Sequence, residues 1–212
     1  MRRTTIVITA LTLLGGLSAG VLGLSQPEKA PPPQGPPKEH PAVPADMQAA
    51  MEAWSKAMAP SAQHEVLKKM VGEWKTTTRL MGGGAVADAP GTASNELVLG
   101  GRFLLQRTTG TMMEQPVSGL GMLGYDIIRK QFTGTWADTM GTGLLHYHGG
   151  LNKDGDGLTM FGAMDEPMTG EIGKTIRLAT RFDGPDRYTL TIQEVQYGEP
   201  FTVVEITYER AK

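Results

Sequence analysis

The chain has 212 residues, with 20 Lys and Arg against 22 Asp and Glu, so its formal net charge is −2. That balance excludes the basic stripe a nucleic-acid binder needs. The absence of cysteine excludes disulfides, thiol nucleophiles, iron–sulfur clusters, thiolate zinc sites and Cys-linked lipid anchors. With 28 Gly, 14 Pro and 6% aromatic residues, the length suits one ordinary domain plus extensions.

Residues 1–25 read as a secretory signal. Arg2 and Arg3 make a short basic start, Ile6 to Leu24 is apolar apart from Thr, Ser and Gly, and Gly23-Leu24-Ser25 offers small residues for cleavage. An uncleaved membrane anchor over 6–24 is the alternative, because about 19 apolar residues just cross a bilayer. Either way the chain is expected in the periplasm or outside the cell. Residues 26–45 (QPEKAPPPQGPPKEHPAVPA) hold eight of the 14 prolines. Lacking amide donors, this stretch forms neither a helix nor a central strand and serves as a disordered, polyproline-like spacer.

The spacing predicts a helix over 46–60, with Met47, Met51, Trp54 and Met58 on one stripe and Gln48, Glu52 and Lys56 opposite. The stripe is expected to pack against its own domain, closing one end of a barrel; a partner-binding face is the alternative. Pro60 stops the helix. Ser61 then caps a second short helix that includes His64, Leu67 and Met70 and ends at Gly72.

From Trp74 the period changes to two. Ile176, Leu178, Thr180 and Phe182 alternate with Thr175, Arg177, Ala179 and Arg181. Tyr188, Leu190 and Ile192 alternate with Arg187, Thr189 and Thr191, and Val204, Ile206 and Tyr208 with Val203, Glu205 and Thr207. Less regular strands fall near 73–80, 92–99, 102–109, 117–125, 131–138, 142–149 and 157–164. Turn signals stand between them at Gly100-Gly101, Arg129-Lys130, Asp154-Gly155-Asp156-Gly157, Asp183-Gly184-Pro185 and Gly198-Glu199-Pro200. Residues 61–212 therefore predict about ten antiparallel strands in a meandering β-barrel, with a short helical segment before it.

The local text carries a resemblance. His64-x-x-Leu67 runs into Val71-Gly72-Glu73-Trp74, followed by Leu99-Gly100-Gly101-Arg102-Phe103-Leu104, Gly119-x-Gly121-x-x-Gly124-Tyr125-Asp126, Trp136-x-Asp138-x-x-Gly141-Thr142 and Tyr208-x-Arg210. Over about residues 61–211 this resembles the domain of unknown function 1579 family of bacterial, often exported proteins. The resemblance implies a fold and no reaction. The Gly72-x-Trp74 entry after a short helix is also similar to the first strand of lipocalin or calycin-type barrels, which carry small apolar molecules.

Several residues are candidates for chemistry. His146 and His148, two apart on a strand, share a face and are candidate ligands for a divalent metal or a haem, with His64 or Asp138 as a third ligand. They face solvent if Leu145 and Tyr147 face inward. Asn152-Lys153-Asp154-Gly155-Asp156-Gly157 has the first half of an EF-hand loop, but Ala163 stands where the bidentate Glu belongs. Gly119-Leu120-Gly121-Met122-Leu123-Gly124 fits the dinucleotide fingerprint in letters only, since strand text follows it. Asp126 and Asp138 are either an acid–base pair beside an aromatic pocket or two turn-forming carboxylates.

The expectation is an exported, calycin-like barrel that binds a small apolar molecule without catalysis. A pocket of roughly several hundred Å³ is expected. It would be lined by Trp74, Phe103, Tyr125 and Trp136, with Arg102, Asp126 and Asp138 as polar anchors. The alternatives are an enzyme, metal or haem barrel using Asp126/Asp138 or His146/His148, and an interaction module acting through the 47–58 stripe. The sequence specifies no oligomeric state.

Overall fold

The structure is a computed structural model, and it describes residues 44–81, 88–112, 114–166, 169–196 and 199–212. The expected signal and nearly all of the Pro-rich spacer lie outside the described residues. The fold is that of the unit Ala45–Lys212.

Helix α1 spans Ala45–Ala57; a 3₁₀ turn over Ala62–His64 leads into α2, Glu65–Lys68. The expectation that the Met stripe packs on the barrel is overturned. Met47, Met51 and Trp54 are 54%, 62% and 65% exposed, and α1 buries no residue. The barrel end is plugged instead by Leu67 (fully buried) and Met70, from the short helical segment that follows α1. A bond from Arg102 Nη2 to the Met58 carbonyl (3.3 Å) joins the end of this segment to the barrel.

Ten strands follow: β1 Gly72–Leu80, β2 Ala89–Val98, β3 Phe103–Met112, β4 Gln115–Asp126, β5 Gln131–Asp138, β6 Leu145–Leu151, β7 Gly157–Glu166, β8 Glu171–Phe182, β9 Arg187–Gln196 and β10 Glu199–Arg210. Each pairs antiparallel with its neighbours in sequence, and β1 pairs with β10 from Trp74↔Arg210 to Leu80↔Val204. The result is the expected closed barrel. Closure leaves no edge strand to pair with other chains.

Alternation sorts the side chains. Trp74, Leu104, Leu123, Phe132, Tyr147, Leu158, Ile176, Tyr188 and Tyr208 point inward as one core cluster. Outward positions carry cross-strand ion pairs such as Arg107–Glu96 (2.6 Å), whereas Lys174–Glu194 (2.8 Å) is largely buried, on the strand positions in line with Ile176 and Ile192. An exposed pair such as Arg107–Glu96 contributes under about 1 kcal/mol.

The two ends of the barrel differ. At the α2 end, Trp74 Nε1 and Asn95 Nδ2 both donate to the Met70 carbonyl (2.9 Å each), tying the plug to β1 and β2. Arg210 clamps the β1–β10 seam, donating to the carbonyls of Val71 (3.0 Å) and Pro185 (2.8 Å) with its guanidinium over the Trp74 ring (4.3 Å). Tyr188 stacks on Tyr208 (4.1 Å) and meets Trp74 edge-on (4.8 Å). That half is solid. The hairpins at the other end join β1 to β2, β3 to β4, β5 to β6, β7 to β8 and β9 to β10.

Candidate functional site

Above the packed half, the barrel holds a partly open cavity of about 210 Å³. Its apolar walls are Leu178, Leu190, Ile192, Val204 and Ile206 from β8–β10, Trp136 and Leu145 from β5 and β6, and Met112 and Val117 from β3 and β4. Polar groups enter from Thr76, Thr78, Gln106, Thr108, Asp138, Tyr147 and Tyr208. The cavity is smaller than the several hundred Å³ expected, because plug and aromatic floor fill the lower half.

Glycines make room for the large rings. A Cβ at Gly119 would stand 2.6 Å from Trp136 Cη2, and one at Gly134 would stand 2.5 Å from Tyr147 Cζ and 2.7 Å from its hydroxyl. Trp136 thus lies across β4 and Tyr147 across β5, each ring occupying the space a side chain would take. Tyr147 is paired with Gly134 on one side and Gly162 on the other.

Trp136 and Asp138 are the predicted site residues that line the cavity. They form one unit: Trp136 Nε1 donates to Asp138 Oδ2 (2.9 Å), and the other carboxylate oxygen accepts the Met140 amide (2.9 Å). Trp74 is buried under the floor. Tyr125 packs edge-on against Phe132 (5.1 Å) and His64 (5.8 Å) near the plug. Phe103 faces outward, its ring over Gly124, because the inward position on β3 is taken by Leu104. Arg102 Nη1 donates to the Leu99 carbonyl (3.3 Å) in its own hairpin.

The pairing of Asp126 with Asp138 fails on distance. Asp138 pairs with Gly119 and Asp126 with Gln131, at opposite ends of the β4–β5 ladder. At ~3.3 Å per residue the two stand roughly 23 Å apart. Asp126 accepts the amides of Ile128 and Arg129 (2.9 Å each), so it shapes a turn, the plainer of its two readings. His146 and His148 are exposed on the outer face, since Leu145 and Tyr147 take the inward positions. They do not reach the cavity, so neither a haem nor a metal inside the barrel has them as ligands. Among the described residues no three His, Asp or Glu side chains converge as a metal centre.

The Asn152–Gly157 stretch is a hairpin turn. The Asn152 side chain bonds Asp156, its Oδ1 accepts the Gly157 amide (3.2 Å), and Gly155 adopts φ +72°. Gly119, Gly121 and Gly124 lie within β4, with no helix to follow. His64 is buried, its Nδ1 accepting the Ser61 amide (2.9 Å), and desolvation lowers its pKa.

The residues the sequence reading left out are Tyr147 and Tyr208. Both line the cavity while almost wholly buried, at 6% and 5% exposure. Burial pushes the Tyr147 hydroxyl up to about 12 and Tyr208 well above the ordinary value, so both stay protonated. Among the described residues neither hydroxyl has a hydrogen-bond partner. The signal was present in the strict alternation of Tyr147 against His146 and His148, and of Tyr208 against Thr207 and Glu209.

Among solved structures, the barrel is similar to that of Rv2717c from M. tuberculosis, at 16% identity and a TM-score of 0.52 over 73% of this chain and 100% of that one. It is also similar to the S-type phycobiliprotein lyase CPES from Guillardia theta, at 12% identity and a TM-score of 0.48 over 72% of this chain and 99% of that one. The first of these likenesses concerns the barrel fold alone. No curated protein matches the sequence. The family model described as "Protein of unknown function (DUF1579)" matches residues 59–210. The chain therefore belongs to the DUF1579 family.

Proposed function

We propose that this protein is an exported barrel that binds one small, largely apolar molecule in the cavity, without catalysis. The observation that carries the reading is the half-filled barrel, in which a plug and aromatic floor support a void of about 210 Å³ lined mainly by Leu, Ile, Val, Met and Trp. A cavity of roughly 150 Å³ lined by Leu, Ile and Phe admits benzene. This one therefore suits a single ring with a short substituent. Among the described residues the lining contains no Ser–His or Lys–acid pair, and its one carboxylate, Asp138, is engaged by Trp136 and the Met140 amide. Export rests on the apolar text of residues 6–24.

The test is native mass spectrometry of the protein purified from its own source, beside an Ile192→Trp variant that fills the void. The reading predicts a co-purifying neutral mass of one to two hundred daltons, lost in the variant. Identical apo spectra from both, with no small apolar probe taken up by either, would refute it.

The exposure of Met47, Met51 and Trp54 favours a second reading, in which α1 docks another protein chain. Sedimentation of the full chain against a Met51→Glu/Trp54→Glu variant tests it for self-association. An oligomer dissolved by the substitutions supports that reading, and identical monomers remove a second copy as the occupant.

A further inference from the structure

The ligand's chemistry can be read more finely, on the assumption that the cavity binds one at all. Tyr147 and Tyr208 present protonated hydroxyls to the cavity with no partner among the described residues. Each is more than nine-tenths buried. Both phenols open on the same cavity, and Tyr208 is held there by stacking on Tyr188 (4.1 Å). Tyr147 is also held in place, its ring laid across Gly134 with Gly162 on its other side. Two fixed phenol donors opening on one cavity are a seat for an acceptor oxygen.

The charges point the same way. Among the described residues no Lys, Arg or His lines the cavity, and the charged residue in its wall is Asp138. That carboxylate stands on β5 well above Tyr147, whose pairing partner is Gly134. A carboxylate or phosphate ligand entering this void would lose its hydration and meet a like charge with no cation in compensation. A fatty-acid-like anion is therefore selected against.

We infer that the cavity selects an uncharged ring-sized molecule carrying a carbonyl-type oxygen, which sits on the Tyr147 and Tyr208 hydroxyls while the apolar walls hold the ring. The inference rests on the ligand-binding reading above, and its test separates the two.

The full chain is titrated, by calorimetry or ligand-observed NMR, with ethylbenzene, acetophenone and benzoate, which share size but differ in acceptor and charge. The same titrations are run on a Tyr147→Phe/Tyr208→Phe variant, whose fold is checked by its near-ultraviolet dichroism. Expected is uptake of ethylbenzene and acetophenone by the parent, with benzoate at least about tenfold weaker than ethylbenzene. The preference for acetophenone over ethylbenzene should fall about tenfold in the variant, the effect of one to two hydrogen bonds, with ethylbenzene affinity little changed. An unchanged preference, or benzoate binding as tightly as ethylbenzene, overturns the inference and leaves the apolar pocket standing. Failure of all three probes to bind overturns both.

Discussion

Replacing Gly134 by Ala tests whether Tyr147 is placed by the missing side chain beneath it. A Cβ there would stand 2.5 Å from Tyr147 Cζ and 2.7 Å from its hydroxyl, and the nearest obstacles all belong to that one phenol. Comfortable carbon contacts lie near 3.5–4.0 Å, so the ring must move by about 1 Å, and the cavity is the space open to it. Overpacking of this kind costs roughly 1–3 kcal/mol. At about 2–4 °C per kcal/mol for a domain of this size, the midpoint should fall by some 4–8 °C for a cost near 2 kcal/mol. Tyr147→Ala alone should cost about 3 kcal/mol, the low end for an aromatic truncation because one face already meets a void. In the double variant the Gly134→Ala cost should vanish, giving a coupling of about 2 kcal/mol in a thermal or urea unfolding cycle. Additivity within about 0.5 kcal/mol would refute the contact, and with it the fixed position of the Tyr147 hydroxyl.

Alkaline stability should fall steeply. Tyr147, Tyr188 and Tyr208 all have raised pKa values, Tyr147 to about 12, chiefly through burial. Below the unfolded value of about 10 the folded and unfolded states are equally protonated. Above it the unfolded chain loses protons that the fold retains, so stability declines by about 1.4 kcal/mol per pH unit for each tyrosine. Melting temperatures that stay flat up to pH 11.5 would contradict this. Leu67→Ala should cost roughly 2–5 kcal/mol in urea unfolding, since the side chain is fully buried in the plug; a loss under about 1 kcal/mol would show that the plug is not integral. Arg210→Lys keeps the charge but loses the fork that reaches both Val71 and Pro185. It should cost about 1–3 kcal/mol, and a neutral result would remove the seam clamp.

The barrel was legible because period two is an unambiguous signal wherever one face is buried, as over Ile176–Phe182 and Val204–Tyr208. The Gly-rich strand β4 was harder, since its inward positions Gly119 and Gly121 bear no side chain and are covered by Trp136 from the next strand. The site was legible at Trp136 and Asp138, which share an inward face. It was misplaced at Trp74 and Tyr125, because alternation tells which side chains point inward but not how high along the barrel they stand. Height decides whether an aromatic ring fills the floor or faces the void. The same blindness made Asp126 and Asp138 look like neighbours. For α1, the sequence shows an apolar stripe, but not that the barrel end is plugged instead by Leu67 and Met70.

The most direct measurement is a two-dimensional methyl NMR titration of the full chain with ethylbenzene, with Ile192→Trp as comparator. The account predicts saturable shifts confined to the methyls of Leu178, Leu190, Ile192, Val204 and Ile206, the cavity wall, and none at the matching positions of the variant. Shifts gathered instead at Met47 and Met51, or no saturable shift in either protein, would contradict a ligand-binding barrel.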